Sequence, residues 1–123
     1  MKVLIADDSE FMRGILKGIV EKSNWKGSQI IEAVNGTEAI EKYEAEHPEL
    51  VLLDIVMPEK TGMEVLQAIG STPQSVVMVS SVEEQQTIDQ ANNMGIKKFI
   101  RKPFEADQVI EVLNSLTPAP AAG

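Results

Sequence analysis

The sequence predicts an α/β fold of five strand–helix units built on a parallel sheet. Short apolar or β-branched runs alternate with longer stretches of helical period, the pattern left by strands joined through crossover helices. Three of the runs are apolar almost without a break: Val3-Leu-Ile-Ala6, Leu50-Val-Leu-Leu53 and Val76-Val-Met-Val79. Such runs belong to strands covered on both faces. Asp7 and Asp8 follow the first run and Asp54 follows the second. In a parallel sheet all three carboxylates then meet at the C-terminal edge, where open α/β folds hold their chemistry.

The strands are expected at Lys2 to Ala6, Gln29 to Ala33, Leu50 to Asp54, Val76 to Ser80 and Lys98 to Ile100. In the first helix Met12, Ile15, Leu16, Ile19 and Val20 share one face. Trp25 is expected to cover the connection that follows. Pro48 stops the second helix, and His47, the only histidine, reads as a loop or capping residue rather than a catalytic one. Thr61 with Glu64 and Ser81 with Glu84 have capping-box spacing, so the third and fourth helices should begin there. The fourth helix carries only the narrow apolar line Ile88, Ala91 and Met94 before Gly95, a natural terminator, which predicts weak packing and freedom to move. The fifth presents Val109, Ile110, Leu113 and Leu116 on one face. One domain is expected over residues 1–116, with a flexible Pro/Ala tail over 117–123.

A chain of 123 residues suffices for one core without covalent staples, and it contains no cysteine, which excludes disulfides and thiolate metal sites. No apolar stretch approaches the length of a membrane span, and a cytoplasmic location is expected. The net charge of -8 opposes binding to nucleic acid or to an anionic membrane.

Asp54 ends an otherwise apolar strand, and a carboxylate placed there costs desolvation unless a cation or hydrogen bonds compensate. Three carboxylates held together repel, and a hard divalent cation relieves the repulsion. Mg²⁺ is the natural choice, because no second histidine and no cysteine exists for a transition metal. Lys102 follows the last strand and projects at the same edge; it reads either as a surface charge or, beside three carboxylates, as the fixed positive charge that a phosphoryl group requires. Ser80, ending the fourth strand, adds a hydroxyl donor. A carboxylate nucleophile, a cation, an ammonium group and a hydroxyl amount to a phosphoryl-transfer site.

Over residues 1 to about 116 these positions resemble the response-regulator receiver domains of two-component signalling. The matching residues are Asp7-Asp8, Asp54-Ile-Val-Met-Pro58 with Gly62, Ser80, and Lys102-Pro-Phe104. The resemblance implies the flavodoxin-like, doubly wound (βα)5 sheet of strand order 2-1-3-4-5. It implies Asp54 as the acceptor of a phosphoryl group from a histidine kinase. It further implies Mg²⁺ held by Asp8, Asp54 and the carbonyl of Val56, with Asp7 acting through water. Lys102 would pair with the phosphoryl group, the Lys102–Pro103 bond would be cis, and Ser80 and Phe99 would form the switch. The readout would lie on the fourth helix, fifth strand and fifth helix, facing a downstream protein, with an auxiliary phosphatase as a further partner.

Within the family, Asp8-Ser-Glu-Phe-Met-Arg13 and Lys102-Pro-Phe-Glu-Ala-Asp107 are similar to stand-alone chemotaxis regulators. Two other readings share the same residues. One is a receiver cut from a larger regulator such as a transcription factor; the other is a Mg²⁺-dependent phosphatase that turns over an aspartyl phosphate.

Overall fold

Strand burial follows the apolar runs. Leu50, Val51, Leu52 and Leu53 are all buried, and so are Val3 to Ala6 and Val76 to Val79. The computed structural model describes residues 1–54, 62–69, 76–80, 89, 98–102 and 104–116. In chain order the elements are β1 (Lys2–Ala6), α1 (Glu10–Glu21), β2 (Gln29–Ala33), α2 (Gly36–Glu46), β3 (Leu50–Leu53), α3 (Gly62–Ile69), β4 (Val76–Ser80), β5 (Lys98–Arg101) and a C-terminal helix (Ala106–Ser115). The five strands pair in parallel in the order β2-β1-β3-β4-β5, the flavodoxin-like order. The fold expectation holds.

Because side chains alternate along a strand, the sheet has two apolar faces. Leu4, Ala6, Val51, Leu53 and Met78 point to the face covered by α2 and α3, through Ala39, Val65 and Leu66. Val3, Ile5, Leu50, Leu52, Val77 and Val79 point to the other, covered by Leu16, Ile19 and Val20 of α1 and by Val109 and Leu113 of the C-terminal helix. Five continuous strands would leave apolar surface wet on either side without this double cover.

Local chemistry sets the helix ends. Ser9 caps α1, its hydroxyl accepting from the Met12 N–H at 3.2 Å. Asn35 caps α2 by accepting from the Glu38 N–H at 2.8 Å, and Glu38 returns the contact by accepting from the Val34 N–H at 3.1 Å. His47 takes the capping role expected of it. It closes α2 in the left-handed conformation at φ 49, its N–H donating to the Tyr43 carbonyl at 2.9 Å, just before Pro48 forbids a further turn. Trp25 is buried after α1 and donates its indole N–H to the Leu113 carbonyl at 2.9 Å, which ties that connection to the C-terminal helix.

Two strand ends differ from expectation by one residue. β3 stops at Leu53, so Asp54 stands just past the ladder, and β5 runs on to Arg101, which pairs with Ser80. The Thr61 cap, the Ser81 cap, Gly95, Pro103 and the tail lie outside the described residues, as does the expected fourth helix apart from Asp89. Among the described residues no helix is long and apolar enough to cross a membrane.

Candidate functional site

The site stands at the C-terminal ends of β1 and β3, the two central neighbours of the sheet. Parallel pairing brings Ala6 level with Leu53, and the chain leaves both strands together. The Asp54 N–H still donates to the Ala6 carbonyl at 3.0 Å, and the Asp7 N–H to the Ala33 carbonyl at 3.1 Å. Each acid is therefore held by the last backbone bond of the sheet, which fixes where its side chain begins. Asp7 is 1% exposed and Asp54 6%, whereas Asp8 is exposed.

One carboxylate oxygen from each of Asp7, Asp8 and Asp54 lies within 4.8 Å of the others. Lys102, following β5, reaches across the edge. Its ammonium donates to Asp7 Oδ2 at 2.9 Å and to Asp54 Oδ2 at 3.2 Å. Burial works against the charge on Lys102, but the hydrogen bond to Asp7 and the negative charge of Asp54 outweigh it and hold the ammonium above the ordinary lysine range. The other oxygen of Asp7 accepts from the Ser9 N–H at 2.9 Å, so the residue that caps α1 also orients the buried acid.

Three carboxylates face one ammonium, an all-oxygen donor set with an excess of negative charge and one solvent-facing member. That chemistry fits a hard divalent cation such as Mg²⁺ and does not suit a soft or imidazole-seeking metal. Asp7, Asp8 and Asp54 together form the cluster that could hold such an ion.

The structure thus brings together Asp7, Asp8, Asp54 and Lys102. Ser80 ends β4 at the same edge, and its backbone position is all that is described. Val56 and Pro103 lie outside the described residues, so the carbonyl ligand and the isomer of the Lys102–Pro103 bond do as well. Phe99 lies in β5, half-buried against the α2/α3 side of the core.

Arg13 was not among the candidate site residues. It is 8% exposed. Its Nη1 donates to the Asp7 carbonyl at 2.7 Å and its Nε to Glu32 Oε1 at 2.8 Å. A signal existed: Arg13, Leu16 and Val20 fall at i, i+3 and i+7, so the arginine occupies a place in the buried stripe of α1 where an apolar residue is expected.

Comparison with known proteins agrees with this geometry. The model of the family described as response regulator receiver domain matches residues 3–114. The chemotaxis protein CheY of Listeria monocytogenes is 44% identical over 115 residues, covering 92% of this chain and 95% of that protein. The transcriptional regulatory protein YesN of Bacillus subtilis is 31% identical over 117 residues, covering 94% of this chain but 32% of YesN. Among solved structures, the CheX-CheY-BeF3-Mg²⁺ complex from Borrelia burgdorferi contains a chain that superposes with a TM-score of 0.84 at 31% identity, over 97% of this chain and 90% of that one. A family model spanning nearly the whole sheet and a relative matched over almost its full length lead to one conclusion: the chain belongs to the response regulator receiver domain family.

Proposed function

We propose that this protein accepts a phosphoryl group on Asp54 from a histidine kinase and, once phosphorylated, changes its binding to a downstream protein in a chemotaxis pathway in the cytoplasm. The observation that carries the reading is Lys102 shared between Asp7 and Asp54, with Asp8 completing the acidic trio. An Asp54 carboxylate oxygen attacks phosphorus, the bond from phosphorus to the kinase histidine breaks, and that histidine keeps the electron pair. The Lys102 ammonium stays beside the oxygen it already contacts and offsets the charge that gathers on the transferred group. A Mg²⁺ ion held by Asp8, Asp54 and the Val56 carbonyl, with Asp7 acting through water, would supply the remaining positive charge at the phosphoryl oxygens.

The switch we assign to Ser80 and Phe99, and the readout to the surface of the expected fourth helix, β5 and the C-terminal helix. The relation to CheY, a protein matched along nearly all its length, supports chemotaxis. A second reading has its own support. YesN is about three times longer than its matching segment, so the same domain also serves as one part of a transcriptional regulator.

The test is labelling with Mg²⁺ and acetyl phosphate. Slow, stoichiometric, hydroxylamine-sensitive labelling is expected, lost in Asp54→Asn. Continuous phosphate release would favour the phosphatase reading, and normal labelling of Asp54→Asn would overturn the assignment of the acceptor.

A further inference from the structure

We infer that Arg13 is a positioning residue for the cation-binding acids, acting through the backbone of Asp7 and itself held in place by Glu32. This rests on the proposed Mg²⁺-dependent phosphoacceptor reading.

The guanidinium is planar and directs its N–H groups in fixed directions. Here one of them ends on the Asp7 carbonyl at 2.7 Å and another on Glu32 Oε1 at 2.8 Å. The carbonyl belongs to the peptide that joins Asp7 to Asp8, so its direction sets the orientation of both acids at once. The Ser9 N–H on Asp7 Oδ1 and the Lys102 ammonium on Oδ2 hold the carboxylate end of Asp7. Arg13 holds the other end.

Glu32 is in turn fixed from two sides. It receives Arg13 on Oε1 and the Lys17 ammonium on Oε2 at 3.0 Å, while the Lys42 ammonium donates to its carbonyl. The edge strand β2 is therefore the anvil against which the arginine is set. This connection runs from β2 through α1 to the β1 turn, and it is independent of Lys102.

Charge and geometry predict opposite signs, which makes the inference testable. A guanidinium within contact distance of Asp7 repels an incoming divalent cation, so as a mere charge its removal tightens cation binding. As a positioning group its removal frees the Asp7–Asp8 peptide to turn and weakens binding, because small misplacements of a constellation carry large penalties.

The experiment is Mn²⁺ binding read as free-ion paramagnetic resonance, on the full chain and on Asp8→Ala, Arg13→Gln, Arg13→Lys, Glu32→Ala and Glu32→Gln, with folding checked by circular dichroism. Arg13→Gln and Arg13→Lys are expected to weaken Mn²⁺ binding about tenfold, since neither keeps the fork. Glu32→Ala is expected to weaken it about threefold, and Glu32→Gln, which retains an acceptor for Nε, to stay within about twofold of the parent. Unchanged or tighter binding in Arg13→Gln overturns the inference while leaving the acidic site in place. Should Arg13→Gln fail to fold, the Glu32 pair decides: equal binding by Glu32→Ala and Glu32→Gln overturns it. Failure of the parent to bind Mn²⁺, or parent-like binding by Asp8→Ala, would instead reject the metal reading itself.

Discussion

Asp8 is the exposed member of a trio whose other two carboxylates are buried and already share one ammonium. In the cation-free protein its charge meets two like charges within 4.8 Å, a repulsion on the order of 1 kcal/mol per pair even in a water-like dielectric. Asp8→Asn is therefore expected to raise the melting temperature in chelator by a few degrees. The same variant should lose most of the stabilisation that millimolar Mg²⁺ confers on the parent by mass action. Thermal melts with and without Mg²⁺ measure both. A lower melting temperature in chelator would mean that Asp8 makes a stabilising contact of its own. The acids and Lys102 were legible as residues because each breaks an apolar run or sits directly after a strand. Arg13 was less legible: its place in the buried stripe of α1 was the one local signal, and an arginine on a helix otherwise reads as solvated. Its partners are a backbone carbonyl six residues back and a carboxylate nineteen residues on, neither of which a local pattern registers.

At the scale of elements, α1 carries Gly14 and Gly18 one turn apart. Both face a groove of about 450 Å³ bounded by Met12, Ile15 and Phe104. A Cβ added at either position meets nothing within 4 Å. Helical glycine is about 1 kcal/mol less favourable than alanine, and no crowding offsets that difference here. Gly14→Ala and Gly18→Ala should each stabilise by roughly 1 kcal/mol, seen as rising urea midpoints with unchanged slope. A falling midpoint would show that the groove closes in solution. The strands were the most legible elements, because an unbroken apolar run has few alternatives in a short α/β chain. Their ends were less so. Asp54 joins the Leu50–Leu53 run in composition yet stands outside the ladder, and Arg101 stands inside it although its charge reads as a boundary.

Across the whole molecule, the ion networks of Glu32 and Lys102 each contribute to how stability responds to pH. Hydrogen bonds from Arg13 and then Lys17 hold the Glu32 carboxyl below its ordinary value of 4.5. A lowered carboxyl stabilises above the unfolded value, and that contribution is lost as pH falls below about 4.5 and on through the folded value. Lys102 is raised above 10.5, so its contribution is complete below that pH and is lost as pH climbs through the higher folded value. Urea midpoints should be flat with respect to these two groups between the limits and fall outside them. Glu32→Gln should make the acid limb shallower and leave the alkaline limb as it is, while the lowered carboxyl of Glu38 keeps its own share; an unchanged acid limb would assign it to other carboxylates.

Trp25 gives the molecule an optical property. It is the chain's one tryptophan, sealed in the core with its indole N–H on the Leu113 carbonyl. The twelve residues of α1 separate it from the acidic edge by about 18 Å at 1.5 Å per residue. Its emission is expected to be that of an indole shielded from water, and to shift to the red when the C-terminal helix comes away. The fluorophore is therefore expected to report the seating of that helix and to be insensitive to an ion arriving beside Asp54, so ultraviolet emission would follow unfolding while occupancy of the acidic edge requires a different probe.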